Sequence, residues 1–208
     1  MNLQSKLDEI KENFMKMVPD DVKVIVGRNQ QALYDSGLVE TVPKAGASFP
    51  VQSLSDSKGA IRELGKSAAV VSFFRGFWWP YCVAELDALN EVVAEIKAKG
   101  AELIVISPQL PELSEKLITD NGLDFPILYD KDNQLAEALN LKHGFSEELE
   151  TVYGGFGIDV GKANGSDVWS LPMPARFILN TEAEITHAEV NPDYTQRPEP
   201  SEIASLLS

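Results

Sequence analysis

The chain has 208 residues, 44% of them apolar and 24% charged, which suits one well-buried α/β domain with an extension. Its formal net charge of −14 argues against nucleic acid or an anionic membrane surface as partners, because both are met by basic patches. One cysteine excludes an intramolecular disulfide, and with only two distant histidines it argues against a zinc site. The start, MNLQSKLDEIKENF, lacks the apolar core of a signal peptide, and no apolar run approaches the ~20 residues that cross a bilayer. The expectation is a cytoplasmic protein in a reducing compartment.

Leu3, Leu7, Ile10, Phe14 and Met17 recur at helical spacing and predict an amphipathic first helix. Pro19-Asp20-Asp21 ends it and starts a second helix that runs through Gln31 to Tyr34 and stops near Gly37. Residues 1–43 are therefore read as an N-terminal helical extension. Its apolar stripe either docks on its own domain or forms a homodimer contact. Residues 44–208 form the main domain, with Lys44 to Pro50 leading in. Ser67 to Phe74 reads as a buried central strand. Leu86, Leu89, Val93 and Ile96 mark a helix face after Cys82, and Gly100 falls where a helix stops. Glu102 to Ser107 is a second buried strand, Pro111 to Asn121 a helix, and Phe125 to Tyr129 a third strand. Asp132 is the expected cap of a short helix to Leu139. The strand–helix–strand order predicts parallel pairing. Residues 143–170 carry Gly154, Gly155, Gly157, Gly161 and Gly165 and read as a loop-like insertion. Arg176 to Leu179 and Ile185 to Val190 predict an antiparallel hairpin. Ser201 to Leu207 is a terminal helix capped by Ser201.

The lone thiol is the chemical feature. Val70 to Cys82 passes from a buried strand through Gly76 and Pro80 into a helix, so Cys82 falls in a first helical turn. There the helix dipole favours a thiolate, by roughly 0.3–1 kcal/mol when exposed and up to ~2 when partly buried.

FFRGFWWPYCVAELDAL, LPMPARFILN, NPDYTQRPEP and the insertion GGFGIDVGKANGSDVWSLPMP together resemble the peroxiredoxin-like branch of the AhpC/TSA family. The resemblance runs from about Phe49 to the C-terminus. It implies an α/β, thioredoxin-like (peroxiredoxin-like) fold, a central mixed sheet flanked by helices. It also implies a cis proline before the later strand, at Pro174. The branch motif R-G-x-W-C-P-Y-C maps onto Arg75 to Cys82, with Trp79 in place of the first cysteine. On this alignment Cys82 takes the peroxide-reducing position and Trp79 the position of the usual threonine. Arg75 stands where the family has a proline, and Pro174 where it has its arginine.

Dithiol exchange within one chain needs two thiols, so Trp79 removes it. Peroxide reduction needs one thiolate and an external thiol to resolve the sulfenic acid. The implied function is a single-cysteine peroxidase acting on hydrogen peroxide or organic hydroperoxides. Thioredoxin, glutaredoxin or a low-molecular-weight thiol would re-reduce it, and no cofactor or metal is called for. Cys82 is the nucleophile. Arg176, on the strand face that should point at it, or Arg75 supplies positive charge, and backbone N–H groups of the following turn supply donors. Trp79 offers an indole N–H, and Glu85 stands one turn later where it can hold an arginine. Pro80 and Tyr81 are structural neighbours. Asp193, Tyr194 and Arg197 read as a structural turn, and His143 and His187 as surface residues. The alternative is a non-catalytic or redox-sensing module on the same scaffold.

Overall fold

The apolar run before the cysteine has no polar alternation, and it becomes the middle strand of a sheet buried on both faces. The computed structural model describes residues 2–207. Two helices, α1 (Leu3–Met17) and α2 (Asp20–Asp35), precede the β1–β2 hairpin (Ser53–Ser55, Ile61–Glu63). Then follow β3 (Ala69–Phe73), α3 (Pro80–Ala98), β4 (Glu102–Ser107), α4 (Pro111–Asn121), β5 (Ile127–Tyr129) and α5 (Gln134–Ala138). The insertion holds β6 (Lys142–Gly144), α6 (Glu147–Gly155), α7 (Val160–Asn164) and β7 (Ser170–Pro172). The chain ends with β8 (Ala175–Leu179), β9 (Ile185–Val190) and α8 (Ile203–Leu206).

The central sheet has the order β5-β4-β3-β8-β9. β3 pairs parallel with β4 and β4 with β5, through the helical crossovers α3 and α4. β8 runs antiparallel to both β3 and β9, so the sheet is mixed. Alternation divides the core. Val70, Leu103, Val105, Ile127 and Ile178 face Leu86, Leu89 and Ile96 of α3, and Val71, Phe73, Ile106, Leu128 and Phe177 join Leu135 of α5 on the other side.

The stripe of α1 is buried at its start and bare at its end. Leu3 and Leu7 enter the core against α3, whereas Met17 is 77% exposed. Asn2 caps the helix, and the Glu199 carboxylate accepts from the Leu3 and Gln4 N–H groups at 3.0 and 2.9 Å, tying it to the C-terminal segment.

Four expectations need correction. The insertion is not loop-like: it carries two helices, closed at the base by antiparallel pairing of β6 with β7. Ser146 caps α6 by accepting from Leu149 N–H, and Asp159 caps α7 by accepting from Lys162 N–H. The glycines mostly terminate these helices; Gly157 and Gly165 take φ of 75° and 64°. Asp132 does not cap α5. It sits at φ 58°, and the buried Asp130 carboxylate instead accepts from Leu135 and Ala136 N–H at 2.8 and 2.9 Å. Ser201 does not cap the last helix, because Pro200, with its pre-set φ, opens a 3-10 turn over Pro200–Glu202 before α8. No peptide bond among the described residues is cis, so Pro174 is trans. Met173 N–H is bonded to Leu141 O at 2.8 Å, which carries the chain straight on from the insertion's hairpin into β8.

Candidate active site

The turn from β3 to α3 is fixed before any side chain is considered. Phe74 N–H bonds Ile106 O, Phe77 N–H bonds the Gln109 amide oxygen at 2.8 Å, and Trp79 N–H bonds Gly76 O. Gly76 is required there, since a Cβ would collide with the Trp78 indole. Pro80 takes the first position of α3, where its missing N–H costs nothing. Cys82 is thereby set in the first turn, with its own N–H donated to Trp79 O at 2.9 Å. Its thiol has no exposed surface.

The cation against the sulfur is Arg197. Its Nη2 donates to Cys82 Sγ at 3.7 Å. Arg176 stands in β8 opposite Ser72 and Glu189 and is turned to a different partner: its Nη2 donates to Glu85 Oε1 at 3.1 Å and to Pro198 O at 3.2 Å. Glu85, one turn along α3 from Cys82, holds both arginines. Its Oε2 lies 3.4 Å from Arg197 Nε, an ion-pair contact without hydrogen-bond geometry. Both guanidiniums and the carboxylate are almost fully buried, and Arg176 also has Glu189 at 4.0 Å. Arg75 is 2% exposed, with its Cζ 4.6 Å from the Tyr194 ring centroid and its Nη2 3.4 Å from His143 Nε2.

These charges act on the thiol in opposite directions. Burial pushes the Cys82 pKa up and dominates. Arg197, the Arg75 backbone N–H and the Arg75 charge pull it down, and the Glu85 carboxylate pushes it up. Burial and Glu85 thus hold the proton on the thiol, against the pull of Arg197 and Arg75.

An aromatic cover closes the site. Trp79 sits among Trp78, Tyr81, Tyr153 and Tyr194, with centroids 5.1–5.7 Å away. Its indole N–H is buried and finds no hydrogen-bond partner among the described residues. Burial raises the pKa of Tyr81 to about 12 and pushes those of Tyr153 and Tyr194 up as well.

The structure thus brings Cys82, Glu85, Arg75, Trp79 and Tyr81 to one place. Pro80 is exposed at the helix start, and Pro174 and Arg176 line a separate cavity of about 400 Å³ that reaches Glu85 and Arg197. Two contributors were not foreseen. Arg197 and Tyr194 do lie in a turn, closed by Gln196 N–H to Asp193 O, but the turn drives both side chains into the site. Their sequence signal was a lone arginine and tyrosine in the proline-flanked signature itself. His143 is not a plain surface residue: it is half-buried, and burial followed by Arg75 drives its pKa well down, so the ring is neutral. His187 is half-buried beside Glu189, at 3.3 Å.

A sheet of this order with the active-site turn between its central strand and the following helix is a thioredoxin-like fold of the peroxiredoxin type. The chain belongs to the AhpC/TSA family, which matches residues 42–188. Among curated proteins it is 31% identical over 105 residues to the thiol-disulfide oxidoreductase ResA of Geobacillus kaustophilus, covering 49% of this chain and 60% of that protein. It is 28% identical over 95 residues to ResA of Halalkalibacterium halodurans, covering 45% and 53%. The chain therefore spans a little over half the length of the curated relatives it matches. Among solved structures, the peroxidoxin BcpB of Mycobacterium tuberculosis superposes with a TM-score of 0.61 at 17% identity, over 79% of this chain and 96% of that one. Peroxiredoxin 6 of Arenicola marina gives 0.60 at 20% identity, over 79% and 72%. A yeast mitochondrial 1-Cys peroxiredoxin gives 0.58 at 20% identity, over 78% and 73%. At these identities the structural likeness bears on the fold alone. No helix among the described residues is long and apolar enough to cross a membrane.

Proposed function

We propose that the protein is a single-cysteine thiol peroxidase that reduces hydrogen peroxide or organic hydroperoxides through Cys82. The observation that carries this reading is the Arg197 guanidinium at 3.7 Å from Sγ, fixed from behind by Glu85 of the same helix turn. Such a cation lowers the cost of the thiolate and of the negative charge that develops on the departing oxygen. The thiolate attacks one peroxide oxygen, the S–O bond forms as the O–O bond breaks, and the alkoxide or hydroxide takes a proton and leaves. Cys82 is left as a sulfenic acid. An external thiol then displaces water to give a mixed disulfide, and a second external thiol releases Cys82 reduced. No internal disulfide can take part, since Trp79 stands at the other motif position and the chain has no second cysteine. The thiol-disulfide chemistry in the name of the ResA relatives therefore reaches this chain only in a monothiol form. The resolving systems named for the yeast 1-Cys peroxiredoxin, glutathione and thioredoxin, are the reductant classes to try first. A free thiol of this kind suits a reducing compartment such as the cytoplasm.

Access requires the aromatic cover to open, because Cys82 has no exposed surface. The same burial favours a second reading, a non-catalytic or redox-sensing module whose thiol stays sealed. The two separate in one assay: peroxide consumption driven by dithiothreitol, with wild type against Cys82→Ser. The peroxidase reading expects turnover that Cys82→Ser abolishes. Equal rates in the two proteins, or no turnover in either, would end it.

A further inference from the structure

A cavity of about 470 Å³ lies between α2, β6 and α6, bounded on one side by Arg75, Tyr153 and Tyr194. Here α2 and the insertion are tied together. Arg28 pairs with Glu148, and Ser146 N–H bonds the Asn29 side-chain oxygen at 3.3 Å. Its size is that of a small-molecule site. The walls are largely apolar, with Val26, Leu33, Leu38, Phe145 and Leu149, and Arg75 and His143 stand at one side.

Arg75 is the anomaly. Arg176 and Arg197 share the Glu85 carboxylate, but Arg75 has no carboxylate within ion-pair distance among the described residues. What surrounds it is the Tyr194 ring, the neutral His143 imidazole, the Tyr153 hydroxyl, the Cys82 thiol and a second cation, Arg197. The Arg75 Nε is buried and has no hydrogen-bond partner among the described residues. A buried guanidinium without an anion is expensive, and it is normally retained only when paired. In a chain of net charge −14 such a cation is conspicuous, and it lines the cavity.

We infer that this cavity binds an organic monocarboxylate with an apolar body, its carboxylate on Arg75 and His143 and its body along Leu33, Phe145 and Leu149. Charge selects one carboxylate over a phosphate or polyanion. Among the described residues that line it, Arg75 is the single unpaired cation, since Lys142 is already bonded to Glu137 at 2.9 Å, and the chain as a whole carries a net charge of −14. The guanidinium fork fits a planar carboxylate in bidentate fashion. The cavity shares Arg75, Tyr153 and Tyr194 with the surroundings of the thiol, but carboxylate binding there needs no peroxidase turnover.

The test is calorimetric titration of the full chain with octanoate, in wild type and in Cys82→Ser. Octanol serves as the neutral match and acetate as the carboxylate without a body. Saturable binding of one octanoate per chain is expected in both proteins, with octanol and acetate each at least about tenfold weaker. Arg75→Gln should weaken octanoate at least about tenfold. Ala32→Trp, an exposed position on the cavity wall, should do the same by filling the mouth while leaving the core untouched. If Arg75→Gln does not fold, Ala32→Trp decides. Failure of octanoate to saturate, octanol binding equally well, or octanoate affinity unchanged in Ala32→Trp would overturn the site. Because Cys82→Ser is included, that result stands apart from any failure of thiol chemistry.

Discussion

Glu85→Gln isolates the ion cluster that holds the thiol. The substitution keeps the shape and removes one negative charge. It leaves Arg197, buried and 3.4 Å from the missing charge, with no carboxylate, and leaves Arg176 with only Glu189 at 4.0 Å. Removing one partner of a buried pair costs about 3–5 kcal/mol. The glutamine carbonyl can still accept from Arg176, so the lower end, ~3 kcal/mol, is expected. For a chain of this length each kcal/mol moves the melting midpoint by roughly 2–4 °C, so a fall of roughly 6–12 °C should appear in a calorimetric or circular-dichroism melt near neutral pH. The same change acts on the sulfur in the opposite sense. The Glu85 carboxylate raises the Cys82 pKa, so its loss lowers that pKa and speeds alkylation by iodoacetamide below the thiol's midpoint. Arg197→Met should do the reverse and slow alkylation. General loosening would speed both variants, so the opposed signs separate electrostatics from unfolding. A Glu85→Gln midpoint within about 2 °C of wild type would refute the reasoning, because the cluster would then carry no net stability.

Other consequences follow from the cover and the buried acids. Trp79→Ala removes a side chain that is 7% exposed and should cost about 3–5 kcal/mol while opening the thiol, seen as a lower urea midpoint with faster reaction of Cys82 toward Ellman's reagent. Trp79→Cys restores the second motif thiol and should confer insulin reduction that the parent lacks; no gain over the parent would count against the motif alignment. Stability should fall with alkaline pH. The folded Cys82 pKa is raised, so the unfolded thiol ionises first, near its ordinary 9.0, and stability present below that pH is lost as pH climbs toward the folded value. Tyr81, Tyr153 and Tyr194 add a steeper loss above their ordinary 10.0, for the same reason. Urea midpoints measured across that range should decline in wild type, and the first part of the decline should be missing in Cys82→Ser.

How much of this was legible in the sequence varies with the physics. The central strands could be read because Val70, Val71, Ile104 and Ile106 leave no polar alternation, and burial on both faces is what such a run requires. The first helix was legible at Leu3 and Leu7, where the stripe meets α3, and misleading at Met17, where nothing covers it. The insertion was misread because its five glycines outweigh propensity in composition, yet Ser146 and Asp159 carried the capping signal for both helices. Within the site, Glu85 stands one helical turn from Cys82, and the resemblance of the Arg75 to Cys82 segment to the family motif brought Arg75 to the same place. The strand-face argument put Arg176 on the right side of β8, but Glu85 captured it. Arg197 comes from a segment 115 residues away, whose path is set by Glu199 holding the start of α1 and by Gln4 meeting the 195–197 turn. No local pattern encodes that route.

The central claim, that Cys82 is a peroxide-reactive thiol supported by Arg197, is tested most directly by trapping its sulfenic acid. The native protein is treated with one equivalent of hydrogen peroxide in the presence of dimedone, and Cys82 is read by peptide mass spectrometry. The account predicts rapid, near-complete labelling at Cys82 in wild type and markedly slower labelling in Arg197→Met at equal thiol accessibility. A wild-type Cys82 that stays reduced and unlabelled, or an Arg197→Met variant that labels as fast, would contradict it.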